Sequence, residues 1–370
     1  MEIPFLDLHK QYDSIKTEID NAICNVINDS AFIRGKYVNE FEKNYANKYD
    51  VSNCISVGNG TDAIYIVLKM LGITNDDEVL VPALTWIATS ETISQVGAKP
   101  VFVDIDKYYG IDAEKIEEKI TPRTKAIIVV HLYGQPVGMD KIKLICDKNG
   151  IYLIEDCSQA HFAEYNGKNV GLFGVAGTFS FYPGKNLGAY GDAGAIITND
   201  NDLAIKFRMF ANHGAIDKHD HIIEGINSRL DGIQASILSV KLKYIDNWTK
   251  RRIEVANSYI ERLCKINTER IILPPQRPNV KHVYHQFVLR CDKRDILKAF
   301  LSKNGIETGI HYPKSLPFLK AYEHLNLTKS DLPNSFNYTL EFLSLPIFPE
   351  LTNDEINYVC DKIIEFYQKD

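Results

Sequence analysis

The feature that most constrains this fold is a run of short apolar segments alternating with helical ones. EVLVP at 78–82 leads into a helical stretch through Ser90, Ile93 and Val96. KPVFVDID follows, then a helix near 113–120, the strand KAIIVVHLY, a helix near 139–149 and the strand IYLIEDC. Continuous apolar runs of this length fit strands covered on both faces, and their alternation with helices predicts a parallel sheet. Ligands of such sheets bind beyond the carboxyl ends of the strands. Four residues fall at those ends: Gly60, Trp86, His131 and Asp156.

A second pattern runs from Gly177 to Asn199. GTFSFY and GAIITN read as strands, and between them PGKNLGAYGDAG holds one lysine among four glycines and a proline. Glycine allows turns and close backbone approach, so this setting can present Lys185 at the mouth of a sheet. Taken alone, Lys185 reads as an ordinary solvated turn lysine. Earlier, CISV ends in Gly58-Asn59-Gly60 before a helix that Thr61-Asp62 can open. The first turn of that helix suits a phosphate, although a plain N-cap at Thr61 explains the same residues. It is not a Walker loop, because the GK[ST] ending is absent. Asp156 directly follows an apolar run, as a helix cap or as the carboxylate partner of a buried cation. Together, a lysine for an aldehyde, an acid for a ring nitrogen, a helix terminus for a phosphate and an aromatic for a ring face match what pyridoxal phosphate requires.

Composition narrows the class. The chain has 370 residues, about two domains' worth, and a formal charge of −6, which leaves no basic footprint for nucleic acid. The N-terminus is too charged for a signal peptide, and no apolar run is long enough for a bilayer. The seven cysteines are scattered without a CxxC pair, which predicts reduced thiols and a cytoplasmic location. His213, His219 and His221 fit no common zinc spacing, so no metal site is expected. HVYH at 282–285 reads as structural.

GNGTDA, PALTWIAT, IEDCSQAH, SFYPGKNLGAYGDAGAIITND, GINSRLDGIQA and HVYHQFVLR…IHYP occur in that order. In these blocks, spread over nearly its whole length, the chain resembles the DegT/StrS-type nucleotide-sugar aminotransferases. The resemblance implies a type I aminotransferase fold of class α/β. It also implies a large cofactor-binding domain (1–250), a smaller C-terminal α+β domain (251–370) and a homodimer with shared active sites. It assigns pyridoxal 5'-phosphate as cofactor, with Lys185 as the lysine that binds its aldehyde and Asp156 as partner of its ring nitrogen. Gln159 lies beside the ring hydroxyl and Trp86 stacks on the ring. Gly60, Thr61 and Ser180 hold the phosphate, with Asn227 reaching it from the other subunit. His311 and Tyr312 lie near the sugar, and Arg229 is a nearby anion contact. Relatives often carry serine where Gly184 stands. Dehydratases of the family carry histidine at the lysine position, so Lys185 favours transamination.

The implied reaction moves an amino group from L-glutamate to a nucleoside-diphosphate keto-sugar. GINSRLDGIQA, SFYPGKNLG and IHYP resemble the 3-keto-sugar enzymes, including those for dTDP-6-deoxy-hexoses and UDP-linked uronic acids. Amination of a 4-keto sugar and a non-catalytic regulatory protein on the same fold are the alternatives.

Overall fold

The computed structural model describes residues 1–266 and 270–368. Its first seven strands are β1 (Asn53–Val57), β2 (Glu78–Pro82), β3 (Lys99–Val103), β4 (Thr124–Val130), β5 (Tyr152–Asp156) and the short pair β6 (Glu164–Tyr165) and β7 (Lys168–Asn169). Two more, β8 (Ala176–Ser180) and β9 (Gly194–Thr198), complete a seven-stranded sheet in the order β1-β9-β8-β5-β4-β2-β3. The strands from β8 to β3 are mutually parallel, while β9 runs antiparallel to both of its neighbours. That single reversal matters. The connection from β8 to β9 must turn at the carboxyl end of β8, which is also the carboxyl end of β5.

Helices cover both faces, as continuous apolar strands require. α1 (Leu8–Asn28), α2 (Lys36–Tyr49) and, later in the chain, a helix at Gly232–Leu242 share one cluster with Phe179, Ala195 and Ile197. α3 (Gly60–Met70), α4 (Ala88–Gln95) and the helix Asn201–Phe210 share the opposite one with Ile55, Val81, Ile128 and Ile196. Successive residues of β9 therefore enter opposite cores, the period-two alternation of a strand. The stretch at 113–120, expected as one helix, forms two short 3-10 turns at Ala113–Lys115 and Glu117–Lys119. Asp112 caps the first of them by accepting Glu114 N–H (3.0 Å), and Lys115 and Lys119 N–H bond three residues back, to Asp112 O and Ile116 O, instead of four.

The long helix Ile245–Leu263 leads out of the main sheet. Its buried residues, among them Arg252, Val255, Ala256, Tyr259 and Leu263, recur at three- and four-residue spacing. They pack in a separate cluster with Phe287, Leu289, Leu343, Val359 and, from the other end of the chain, Ile3. A second sheet of Ile271–Ile272, Phe287–Cys291 and Phe342–Leu345 is antiparallel. Helices Arg294–Lys303 and Asn353–Gln368 cover it.

Glu155 shows how the main sheet organises the loop beside it. Its fully buried carboxylate accepts N–H groups from Gly171 (2.7 Å), Phe173 (2.6 Å) and Gly174 (2.8 Å). His131 Nε2 approaches the same carboxylate at 3.1 Å. Val137 N–H donates to His131 Nδ1 (3.2 Å), so the ring carries its proton on Nε2 and donates to Glu155. Glu155→Gln would turn an amide donor toward these donors. We expect a loss of about 2 kcal/mol or more in unfolding free energy, read by denaturant titration, with unchanged stability as the contrary result.

Candidate active site

Lys185 sits in the turn between β8 and β9. Its N–H donates to Tyr182 O (2.8 Å), and Ala189 N–H closes the turn on Phe181 O (2.7 Å). Three side chains hold the turn from behind. Asn186 Nδ2 donates to Val283 O (3.0 Å), and Gln234 Oε1 accepts Tyr190 N–H (2.8 Å). Lys241, wholly buried, donates to Gly188 O (2.8 Å) with its ammonium 4.2 Å from the Tyr190 ring centroid. Among the described residues the Lys185 amine has no hydrogen-bond partner. Removal from water lowers its pKa to about 8, against which the nearby Asp156 carboxylate pulls upward.

Asp156 ends β5 and is buried. Its carboxylate accepts from Ser158 N–H (3.0 Å) and from the hydroxyl of Thr89 (3.0 Å), which itself meets Thr85 Oγ1 at 3.2 Å. Thr89 escaped the sequence reading: it lies in the first turn of α4, and Thr85 in the bend before that helix.

Beside Asp156 stands the first turn of α3. Its N-cap is Asn59, not Thr61: Asn59 Oδ1 accepts from Asp62 N–H at 2.8 Å. Asn59 O takes Ala63 N–H, so the N–H groups of Gly60 and Thr61 precede the first intrahelical bond. A Cβ on Gly60 would stand 2.7 Å from Ser180 Cβ and 3.4 Å from Ser158 Oγ, so only glycine lets the helix come this close to β8. Ser180 is fixed in turn by His161. The His161 Nε2–H donates to Ser180 O (3.0 Å), which leaves Nδ1 to accept from Tyr45 OH (2.9 Å). Burial lowers the His161 pKa to about 3, which keeps the ring neutral.

Residues from the later half of the chain close the other side. Gln159 Oε1 accepts Tyr133 N–H (2.7 Å), and its Nε2 donates to Tyr312 OH (3.1 Å). Tyr312 lies 5.8 Å from the Trp86 ring, which is 59% exposed. His311 is tied to Ser344 Oγ through Nδ1 (2.8 Å), and its carbonyl accepts the Tyr133 hydroxyl. Burial first, and then the Lys185 charge, push the His311 pKa to about 4. His285, in the HVYH segment, supports the Lys185 turn. Asn186, oriented by Val283, presents Oδ1 to His285 Nδ1 at 3.2 Å, one residue from Lys185.

The remaining sequence candidates lie elsewhere. His131 turns away, because Glu155 and Asp156 alternate on β5 and His131 serves Glu155. Asn227 is exposed and pairs with Asn212 in an isolated bridge. Arg229 borders a cleft of about 200 Å³ with Arg34, Arg208 and Glu42. Between Asn227 and Arg229, Ser228 Oγ accepts Gly58 N–H (2.9 Å) and donates to Asp62 (2.6 Å), so this segment runs beside the start of α3.

The profile of the DegT/DnrJ/EryC1/StrS aminotransferase family matches residues 13–364. The chain belongs to that family. It is 44% identical to the dTDP-3-amino-3,6-dideoxy-alpha-D-galactopyranose transaminase of Aneurinibacillus thermoaerophilus, over 98% of each chain. It is also 44% identical to a protein of Geobacillus stearothermophilus named a pleiotropic regulatory protein, over 100% of this chain and 99% of that one. The solved structure of S. venezuelae DesV, in complex with a ketimine intermediate, superposes with a TM-score of 0.97 at 37% identity, covering 99% of each chain.

The pocket fits the cofactor that the resemblance implies. The Gly60–Ser180 contact leaves a helix terminus with two N–H groups unpartnered among the described residues and two serine hydroxyls, a donor set for a phosphate. Asp156 is an anchored acceptor, and Lys185 a desolvated amine. Because the Lys185 pKa is lowered, its neutral form grows as pH rises through about 8 rather than 10.5. Modification of the apo-protein by a small aldehyde, mapped by peptide mass, should therefore be half-maximal at Lys185 near pH 8. A midpoint shared with surface lysines would contradict the desolvated pocket.

Proposed function

We propose that this aminotransferase uses pyridoxal 5'-phosphate to move the amino group of L-glutamate to C3 of a keto-sugar linked to a nucleoside diphosphate. The observation that carries this reading is a desolvated lysine beside a buried, hydrogen-bonded aspartate at the carboxyl edge of the sheet. Gly60, Thr61, Ser180 and Ser158 would hold the phosphate, Trp86 the ring face, Gln159 the ring hydroxyl and Asp156 the ring nitrogen. Bound there, the cofactor supplies an aldehyde and an electron-accepting ring. Lys185 is base and acid in turn: as a neutral amine it takes the proton from Cα of glutamate, and as an ammonium it returns one to the sugar carbon that gains nitrogen. His311 and Tyr312 face the sugar.

The choice of C3 rests on the resemblance of the 225–235 segment and on the relative named for a 3-amino sugar. UDP-linked 3-keto uronic acids remain within the same class. We further read the exposed Asn227, with Arg229, as reaching the site of a second copy in a cytoplasmic homodimer, and residues 1–250 and 251–370 as the two domains. No helix among the described residues is long and apolar enough to cross a membrane. The regulatory name of one relative makes turnover itself the test.

Purified holoprotein should lose its visible cofactor absorbance with L-glutamate and regain it with a 3-keto nucleotide sugar. Return only with a 4-keto sugar would move the amination to C4, and no response to glutamate would favour the regulatory alternative. Lys185→Ala should lower turnover by at least a thousandfold, since it removes both proton transfers. A variant with substantial activity would remove Lys185 from the mechanism.

A further inference from the structure

We propose that the N-terminal arm, Ile3–Leu6, forms a wall on the sugar side of the site. In this proposal Phe5 is a positioning residue that acts on the keto-sugar through the His311 ring. The inference rests on the aminotransferase reading above and adds a segment to which that reading gives no part.

The arm is built into the fold before α1 begins. Ile3 N–H donates to Gly305 O (2.8 Å), and Glu307 N–H returns to Ile3 O (3.0 Å). Ile3 and Ile306 form a parallel bridge, and Phe5 N–H donates to Glu307 Oε2 (2.9 Å). These bonds carry two side chains to the site. Leu6 Cδ2 lies 3.5 Å from where a Cβ on Gly184 would stand, immediately before Lys185. The Phe5 ring stacks on His311, with centroids 5.5 Å apart and planes 22° from parallel.

Phe5 is one of three supports that fix His311. Ser344 Oγ holds Nδ1, and Gly309 closes the Cε1 edge, where a Cβ would come within 2.7 Å of His311 and 3.2 Å of Phe5 Cζ. Among the described residues Nε2 has no partner, so it is the atom left for a ligand. The rings then continue from His311 to Tyr312 (5.8 Å) and from Tyr312 to Trp86 (5.8 Å). Four rings from three distant segments thus form one continuous run, stacked at Phe5–His311, edge-on at His311–Tyr312 (78°) and tilted at Tyr312–Trp86 (41°), which ends at the residue read as covering the cofactor. Aromatic faces pack on the C–H surface of a sugar while leaving its hydroxyls to polar groups. A nucleotide-linked sugar needs contacts beyond the cofactor ring, and glutamate is far smaller. Phe5 should therefore serve the sugar half-reaction alone.

The test compares wild type, Phe5→Ala and Phe5→Tyr as holoproteins, with each half-reaction followed separately by absorbance. Phe5 is only partly buried, so the variants should fold, and thermal midpoints check this. Phe5→Ala should raise the KM for the keto-sugar roughly three- to tenfold, leave the glutamate half-reaction within about twofold, and be rescued by Phe5→Tyr. Calorimetry with unreactive dTDP-glucose and UDP-glucose should show the same loss of binding for whichever the wild type binds. A sugar half-reaction equal to wild type, or an equal fall in both halves, would overturn the proposal. If wild type itself fails to respond to glutamate, the aminotransferase reading falls, and unchanged nucleotide-sugar binding by Phe5→Ala would separately dismiss the arm.

Discussion

The constraint on which the site depends is the approach of α3 to the end of β8, where a Cβ at residue 60 would stand 2.7 Å from Ser180 Cβ. That contact brings an unsatisfied helix terminus to the edge of the sheet, and the antiparallel return of β9 brings the Lys185 turn to the same edge. Asp156 arrives because β5 runs parallel to β8 and ends near it: Asp156 pairs with Thr178, two residues before Ser180. The three groups that a phosphorylated aldehyde cofactor needs are therefore consequences of one strand arrangement. None depends on a flexible loop finding its place.

The electrostatics follow from burial. Lys185 is desolvated enough to be neutral in useful amount, yet it keeps Asp156 as an opposing charge. The imidazoles near it, His161, His285 and His311, are all pushed toward the neutral form, with desolvation as the leading cause. A protonated ring among them would drive the amine pKa lower still and compete for the carboxylate. Neutral, each can spend its N–H and lone pair on position: His161 on Ser180, His285 on Asn186, His311 on Ser344. Lys241 has the same lowered pKa, about 8, but its ammonium is already committed to Gly188 O and to the Tyr190 ring. Two buried lysines with similar titration thus have separate tasks, one left free to react and one spent on holding the turn.

What could be read from the chain was local. Apolar runs announced the parallel strands, an acid after such a run announced Asp156, and glycine around a lone lysine announced the turn. Misreadings arose where one residue decides between equivalent local choices. Asn59 and Thr61 are both good caps, and only the packing of Gly60 on Ser180 settles which one the helix uses. His131 stands at a strand end like Asp156, but strand alternation hands it to Glu155. Thr89 and Phe5 were invisible for another reason: each acts through a residue far away in the chain, and no periodicity encodes that pairing.

Those distant pairings also explain why the site divides as it does. The groups read as holding the cofactor come from the main sheet and the helices beside it. The groups read as facing the sugar come from the 311–312 segment, supported by the second sheet through Ser344 and by the N-terminal arm. Gln159 and Tyr133 join the two sets, by bonds to the Tyr312 hydroxyl and the His311 carbonyl. A change of sugar can then be accommodated on the 311–312 side without disturbing Lys185, Asp156 or the helix terminus. The two sets are remote in sequence and meet through a few hydrogen bonds and ring contacts.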